Sequence, residues 1–182
     1  MAFLRIPMVS ILLLVLTLYF SHQPFMFVGA DDDLILRACH NAEVPETCIQ
    51  CVKADSRSDN AAIVDIATIV VDCVTSQADY LQGNISLIAN HTNDPASKEV
   101  LNHCKEWFSL AKKVLYAATL GLKGGNYDSA DRSVYMAVMH RLSCGGEIEQ
   151  NKNITVTLDL QYGFKMYEEL TEAAMRIINR LE

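Results

Sequence analysis

The sequence predicts an all-α fold: an up-down-up-down four-helix bundle preceded by a disulfide-clasped N-terminal helical hairpin. Three observations carry that expectation. Long segments repeat apolar residues at spacings of three and four, the period of a helix with one buried face. The 4 prolines and 8 glycines fall mostly between those segments, where they act as punctuation. Two pairs of cysteines stand symmetrically about turn-forming residues. Alternation of the strand type is nearly absent.

In chain order, residues 1–30 come first and read as a secretory signal peptide. They contain one basic residue, Arg5, no acidic residue, and an apolar run Ile11–Phe20 broken only by Thr17. Small residues, Val28-Gly29-Ala30, precede Asp31-Asp32-Asp33, so cleavage is expected just before Asp31. The run is too short to span a bilayer core of roughly 30 Å comfortably. Removing residues 1–30 leaves 14 basic against 22 acidic residues, a net charge of −8. That balance repels nucleic acid and anionic membranes and argues against both as partners. Three glycosylation sequons, at Asn84, Asn90 and Asn153, agree with a secreted fate.

The expected domain spans 31–182. Its hairpin is inferred from Cys39 and Cys48, whose midpoint falls between Glu43 and Val44, beside Pro45. The first long helix is expected from Asp59 to about Ile88, with Ile63, Ile66, Val70, Cys73, Gln77 and Leu81 on one face. Asp94-Pro95 opens the second, a cap followed by proline at the first helical position. Its stripe is Val100, Cys104, Trp107, Ala111, Val114, Ala118 and Leu122, and it stops at Gly124-Gly125. The third runs from about Ser129 to Cys144, with Val134, Ala137, Val138 and Leu142 inward, and Gly145-Gly146 is expected to end it. Residues 147–157 read as a polar loop. The last helix carries Leu160, Phe164, Tyr167, Leu170, Ala174, Ile177 and Leu181.

Cys104 and Cys144 are equidistant from Gly124. In an antiparallel helical hairpin such residues lie level with each other, about 30 Å from the turn at 1.5 Å per residue. A bridge there clamps the open end of the hairpin and stabilises by roughly 4 kcal/mol in the chain-entropy model. Cys51 and Cys73 either pair or stay as two buried thiols.

A search for catalytic chemistry finds little. His40, His91, His103 and His140 form no metal motif, and Glu99 with His103 is a single pair where a di-metal bundle needs several. Phosphate loops, zinc-type cysteine pairs and nucleophile elbows are missing from the sequence. Cys48-Ile49-Gln50-Cys51 has redox spacing without the strand-helix context of a redox site. Of Trp107 and Phe108, one is expected in the core with the other beside it. The chain reads as a protein that binds, with no cofactor, no metal and no enzymatic activity.

Several short motifs then come into order. Pro45-Glu46-Thr47-Cys48 is similar to a Pro-x-x-Cys motif, Asp55-Ser56-Arg57-Ser58 resembles Asp-Pro-Arg-Ser, and Gly125-Asn126-Tyr127 resembles Gly-Asp-Tyr. With the Cys-x8-Cys hairpin and a second cysteine pair forty residues apart, they resemble the plant invertase and pectin methylesterase inhibitor family over 31–182. The resemblance implies bridges 39–48 and 104–144, the two that the midpoints select. It also implies one-to-one binding to a carbohydrate enzyme of the apoplast (cell wall) or vacuole, covering the active-site cleft.

Gly125-Asn126-Tyr127 stands where invertase inhibitors often carry Pro-Lys-Phe, which points to pectin methylesterase as the target. Glu106 and Ser143 are the target-binding residues the resemblance implies. Leu110 and Lys113 stand where acids can occur in the family, and Gly145-Gly146 replaces a usual Glu-Asp. The alternatives are an inhibitor of invertase (beta-fructofuranosidase) and a non-inhibitory secreted helical protein of the ligand-binding or pollen type.

Overall fold

The computed structural model describes residues 30–181, so all but the last residue of the expected signal peptide lies outside the described residues. Two ten-residue helices, α1 (Ala30–Cys39) and α2 (Pro45–Ala54), form the N-terminal hairpin. A 3-10 turn over Ser56–Asn60 leads to four long helices: α3 (Ile63–His91), α4 (Pro95–Lys123), α5 (Tyr127–Gln150) and α6 (Leu158–Ile178). In the bundle, α3 and α5 each pack between α4 and α6, giving a square of antiparallel neighbours. Among the described residues every regular element is helical.

Local chemistry sets most boundaries. Asp94 accepts from Ser97 N at 2.9 Å with Pro95 at the first turn of α4, and Asn126 accepts from Ser129 N at 3.1 Å at the start of α5. Between them Gly125 adopts φ +69°, the left-handed turn that favours glycine. A Cβ on Gly121 would come within 3.0 Å of Asn126 O, so the two helices leave this turn in close contact.

Four expectations are corrected, the last of them in α4. The first long helix starts at Ile63 rather than Asp59, because the Asp65 carboxylate caps Ala62 N at 2.9 Å while Asp59 lies in the 3-10 turn. The third helix does not stop at Gly145-Gly146 and continues to Gln150. The glycines' propensity cost, ~1 kcal/mol each, is outweighed because the extra turns bury Ile148 and anchor Glu147 against α4. Leu142 is 47% exposed, not inward. Cys144 must face α4 to form its bridge, and two residues at 100° each place Leu142 on the far side of the helix.

Of the expected α4 stripe, Cys104, Ala111, Ala118 and Leu122 are buried, whereas Leu101, Phe108 and Leu115 take the core places expected of Val100, Trp107 and Val114, which flank them half-buried. Phe108 packs parallel to Phe164 at 6.2 Å and edge-on to Tyr167 at 5.7 Å. Tyr167 is fully buried, donates its hydroxyl to Ala137 O at 3.2 Å, and has its pKa raised by that burial. At Gly163 α3 and α6 touch closely: a Cβ there would stand 2.7 Å from Leu81 Cδ2.

Candidate functional site

Three disulfides join Cys39 to Cys48, Cys51 to Cys73 and Cys104 to Cys144. The third holds α4 and α5 with Cα atoms 4.7 Å apart, and both of its cysteines are buried. That bridge sets the register along the pair, so residues equidistant from the Gly124 turn meet. Trp107 stacks on His140 with ring centroids 5.5 Å apart. One helical turn away, His103 Nδ1 lies 3.1 Å from Glu147 Oε2, and Trp107 Nε1 donates to Glu147 Oε1 at 3.4 Å. A single carboxylate therefore ties two α4 rings to the extra turn of α5. Burial against this cluster lowers the pKa of His140.

Ser143 lies on the same face of α5 as His140 and Glu147, half-buried, its hydroxyl donating to Met139 O at 3.0 Å. Glu106 is exposed on α4 beside His103 and Leu110. No hydrogen bond or ion pair joins Glu106 to Ser143 among the described residues. Around them Leu110, Met136 and Met139 are 38%, 42% and 40% exposed. The outer face of the α4–α5 hairpin thus combines an aromatic–imidazole–carboxylate centre with solvent-facing apolar side chains. Such a surface is suited to burial against another protein.

The resemblance implies Glu106 and Ser143 as target-binding residues; the sequence does not mark Trp107, His140, His103 and Glu147 as a unit. Their signal is one of position: each pair straddles the same turn as Cys104 and Cys144. Lys112 turns away to α3, donating to Asp79 Oδ1 at 2.5 Å and Gln82 Oε1 at 2.8 Å, whereas Lys113 is exposed.

Two further motif segments meet at the opposite end of the bundle. A cleft of about 1060 Å³ is bounded by the 3-10 turn with Arg57 and Asp59, by the start of α3, and by the α4–α5 turn with Lys123 and Tyr127. Arg57 donates to Asp55 Oδ2 at 2.5 Å and Asp72 Oδ2 at 2.8 Å. Its guanidinium holds the Asp55 carboxyl down to about 2. This is how Asp55-Ser56-Arg57-Ser58 fastens the hairpin exit to α3.

Of the sequons, Asn153 is exposed in the α5–α6 loop and Asn90 is exposed in the last turn of α3. Asn84 is half-buried within α3, its Nδ2 sealed from solvent with no hydrogen-bond partner among the described residues. Among the described residues no cluster of His, Cys, Asp or Glu is arranged to hold a metal ion, and no helix is long and apolar enough to cross a membrane.

The family model for plant invertase/pectin methylesterase inhibitors matches residues 33–177. The chain is 26% identical over 176 residues to a cell wall / vacuolar inhibitor of fructosidase from Arabidopsis thaliana, covering 94% of this chain and 96% of that one. It is 25% identical over 134 residues to a putative invertase inhibitor from Platanus orientalis, covering 74% and 78%. Its fold matches a mutant form of a pectin methylesterase inhibitor from Arabidopsis with a TM-score of 0.68 at 20% identity, over 81% of this chain and 97% of that one. A second pectin methylesterase inhibitor structure, from Arabidopsis thaliana, matches with a TM-score of 0.62 at 18% identity, over 84% and 98%. Matched from residue 33 to 177, the chain belongs to the plant invertase/pectin methylesterase inhibitor family, whose members are inhibitor proteins and not enzymes.

Proposed function

We propose that this chain is a secreted inhibitor that docks one-to-one on an apoplastic pectin methylesterase and covers its active-site cleft with the α4–α5 face. The observation that carries the docking surface is the Trp107–His140–Glu147 centre flanked by exposed Leu110, Met136 and Met139. Glu106 and Ser143 lie beside that centre and contribute polar contacts. A standard complex buries ~1,600 Å² in total, within reach of two adjacent helices of 29 and 24 residues. The target is argued from the turn, where Gly125-Asn126-Tyr127 resembles Gly-Asp-Tyr and not Pro-Lys-Phe.

One observation favours a second reading, inhibition of a cell-wall or vacuolar invertase. The curated relatives are named as inhibitors of fructosidase or invertase. Purified protein titrated against a panel of pectin methylesterases and invertases separates the two. Dose-dependent loss of pectin demethylation supports the first; loss of sucrose cleavage with demethylation untouched replaces it with the second. No complex with either enzyme class leaves the non-inhibitory helical protein.

A further inference from the structure

The three bridges differ in what surrounds them. Cys39, Cys48, Cys104 and Cys144 are fully buried. Cys51 and Cys73 are half-buried and line an open groove of about 410 Å³ between α2, α3 and α6. They also differ in what they join. The Cys39–Cys48 bridge lies within the N-terminal hairpin, and Cys104–Cys144 lies within the bundle. Cys51 on α2 and Cys73 on α3 link one unit to the other, with Cα atoms 6.3 Å apart.

Besides that bridge, the hairpin is held where Arg57 at its exit donates to Asp72 Oδ2 of α3 at 2.8 Å and where Arg180 Nη2 donates to Ala38 O. Thr47 Oγ1 donates to Glu169 Oε2 at 2.5 Å, Glu43 N donates to Glu172 Oε2 at 2.9 Å, and Arg180 Nη1 donates to Arg37 O at 3.1 Å. Ile35, Ala38 and Val52 of the hairpin are buried in the same hydrophobic core as the bundle. Helices of ten residues do not persist alone in water, so α1 and α2 depend on docking.

We propose that the Cys51–Cys73 bridge is a redox-addressable latch, opened by an external dithiol without loss of the other two bridges, that controls whether the hairpin stays docked on α3 and α6. A dithiol thiolate attacks one sulfur, the Cys51–Cys73 bond breaks, a mixed disulfide forms, and the departing protein thiolate takes a proton from water. The second thiol of the reductant attacks the mixed disulfide and frees the other cysteine. The reductant leaves as a cyclic disulfide, having given two electrons to the protein. Asp55 and Asp72 line the same groove around one Arg57, so the site favours a dithiol without negative charge. The α4–α5 face keeps its own bridge and stays folded.

The test uses the folded chain with graded dithiothreitol, a neutral dithiol, followed by iodoacetamide and peptide mapping, with hydrogen exchange run in parallel. Cys51 and Cys73 should be alkylated at least about tenfold faster than the other four. Exchange in 32–54 should then rise on the order of a hundredfold while α4 and α5 keep their protection. Equal or earlier alkylation of Cys39, Cys48, Cys104 or Cys144 overturns the proposal. So does a hairpin that stays protected after the bridge is open. Cys51→Ser/Cys73→Ser provides the second reading: its hairpin should exchange as in the reduced protein, and protection equal to the parent overturns the latch.

Discussion

Trp107 of α4 stacks on His140 of α5, ring centroids 5.5 Å apart, one turn from the Cys104–Cys144 bridge. The stack joins a structural staple to the candidate docking face. The bridge sets the register, the register brings the rings together, and the rings with Glu147 hold the last turns of α5 against α4.

Trp107→Ala should therefore weaken inhibition much more than it weakens the fold. The side chain is half-buried and flanks the core seam formed by Phe108, Leu101 and Leu115. Loss of a central aromatic anchor costs about 2 kcal/mol or more in binding, some thirtyfold in inhibition constant. Inhibition assays beside thermal melts check it; an unchanged constant removes this face from the interface.

His140 gives a pH signature. Burial lowers its pKa below that of an unfolded-state histidine, so the unfolded chain binds the proton more readily. Its stabilising contribution is complete above the unfolded value of about 6.5 and declines as pH falls through the window down to the folded pKa. His140→Gln should flatten that part of the stability profile. Denaturant melts from neutral to acid pH, parent against variant, measure it; parallel profiles refute the assignment.

Gly163→Ala tests the close approach of α3 and α6. The added methyl meets Leu81 Cδ2 at 2.7 Å and Tyr80 Cε1 at 3.2 Å. Overpacking of this kind costs roughly 1–3 kcal/mol, partly offset by the better helix propensity of alanine. The urea midpoint should drop. A rise would mean that the helices separate at no cost.

Gly146→Ala should do the reverse. A Cβ there meets nothing within 4 Å and the residue lies inside α5. Replacing a helical glycine by alanine should add up to about 1 kcal/mol. Destabilisation would restore the glycine stop that the sequence alone suggests.

Glycan occupancy should follow exposure. In secreted protein, glycopeptide mass spectrometry should find sugar at Asn153 and Asn90, which face solvent, and none at Asn84, whose amide nitrogen is sealed within α3. Sugar on Asn84 in folded protein would contradict the packing of that helix face.

The sequence by itself determined the helix content, the four-helix order and the level pairing of Cys104 with Cys144. These follow from periodicity and from distance along the chain, both of which are local properties. The tertiary structure decided the rest. The turn of α5 that carries Leu142 outward is set by Cys144 facing α4, and the passage through Gly145-Gly146 is set by the burial of Ile148. At three positions of the α4 seam Leu101, Phe108 and Leu115 are buried in place of the residue before each, since amphipathic stripes are wide and only the neighbouring helices choose their centre. The pairing of Cys51 with Cys73 depends on where the hairpin docks, a long-range matter that no spacing encodes. The face of Trp107, His140, His103 and Glu147 has the same origin: its residues are ordinary one at a time and become a site when two helices are held in register.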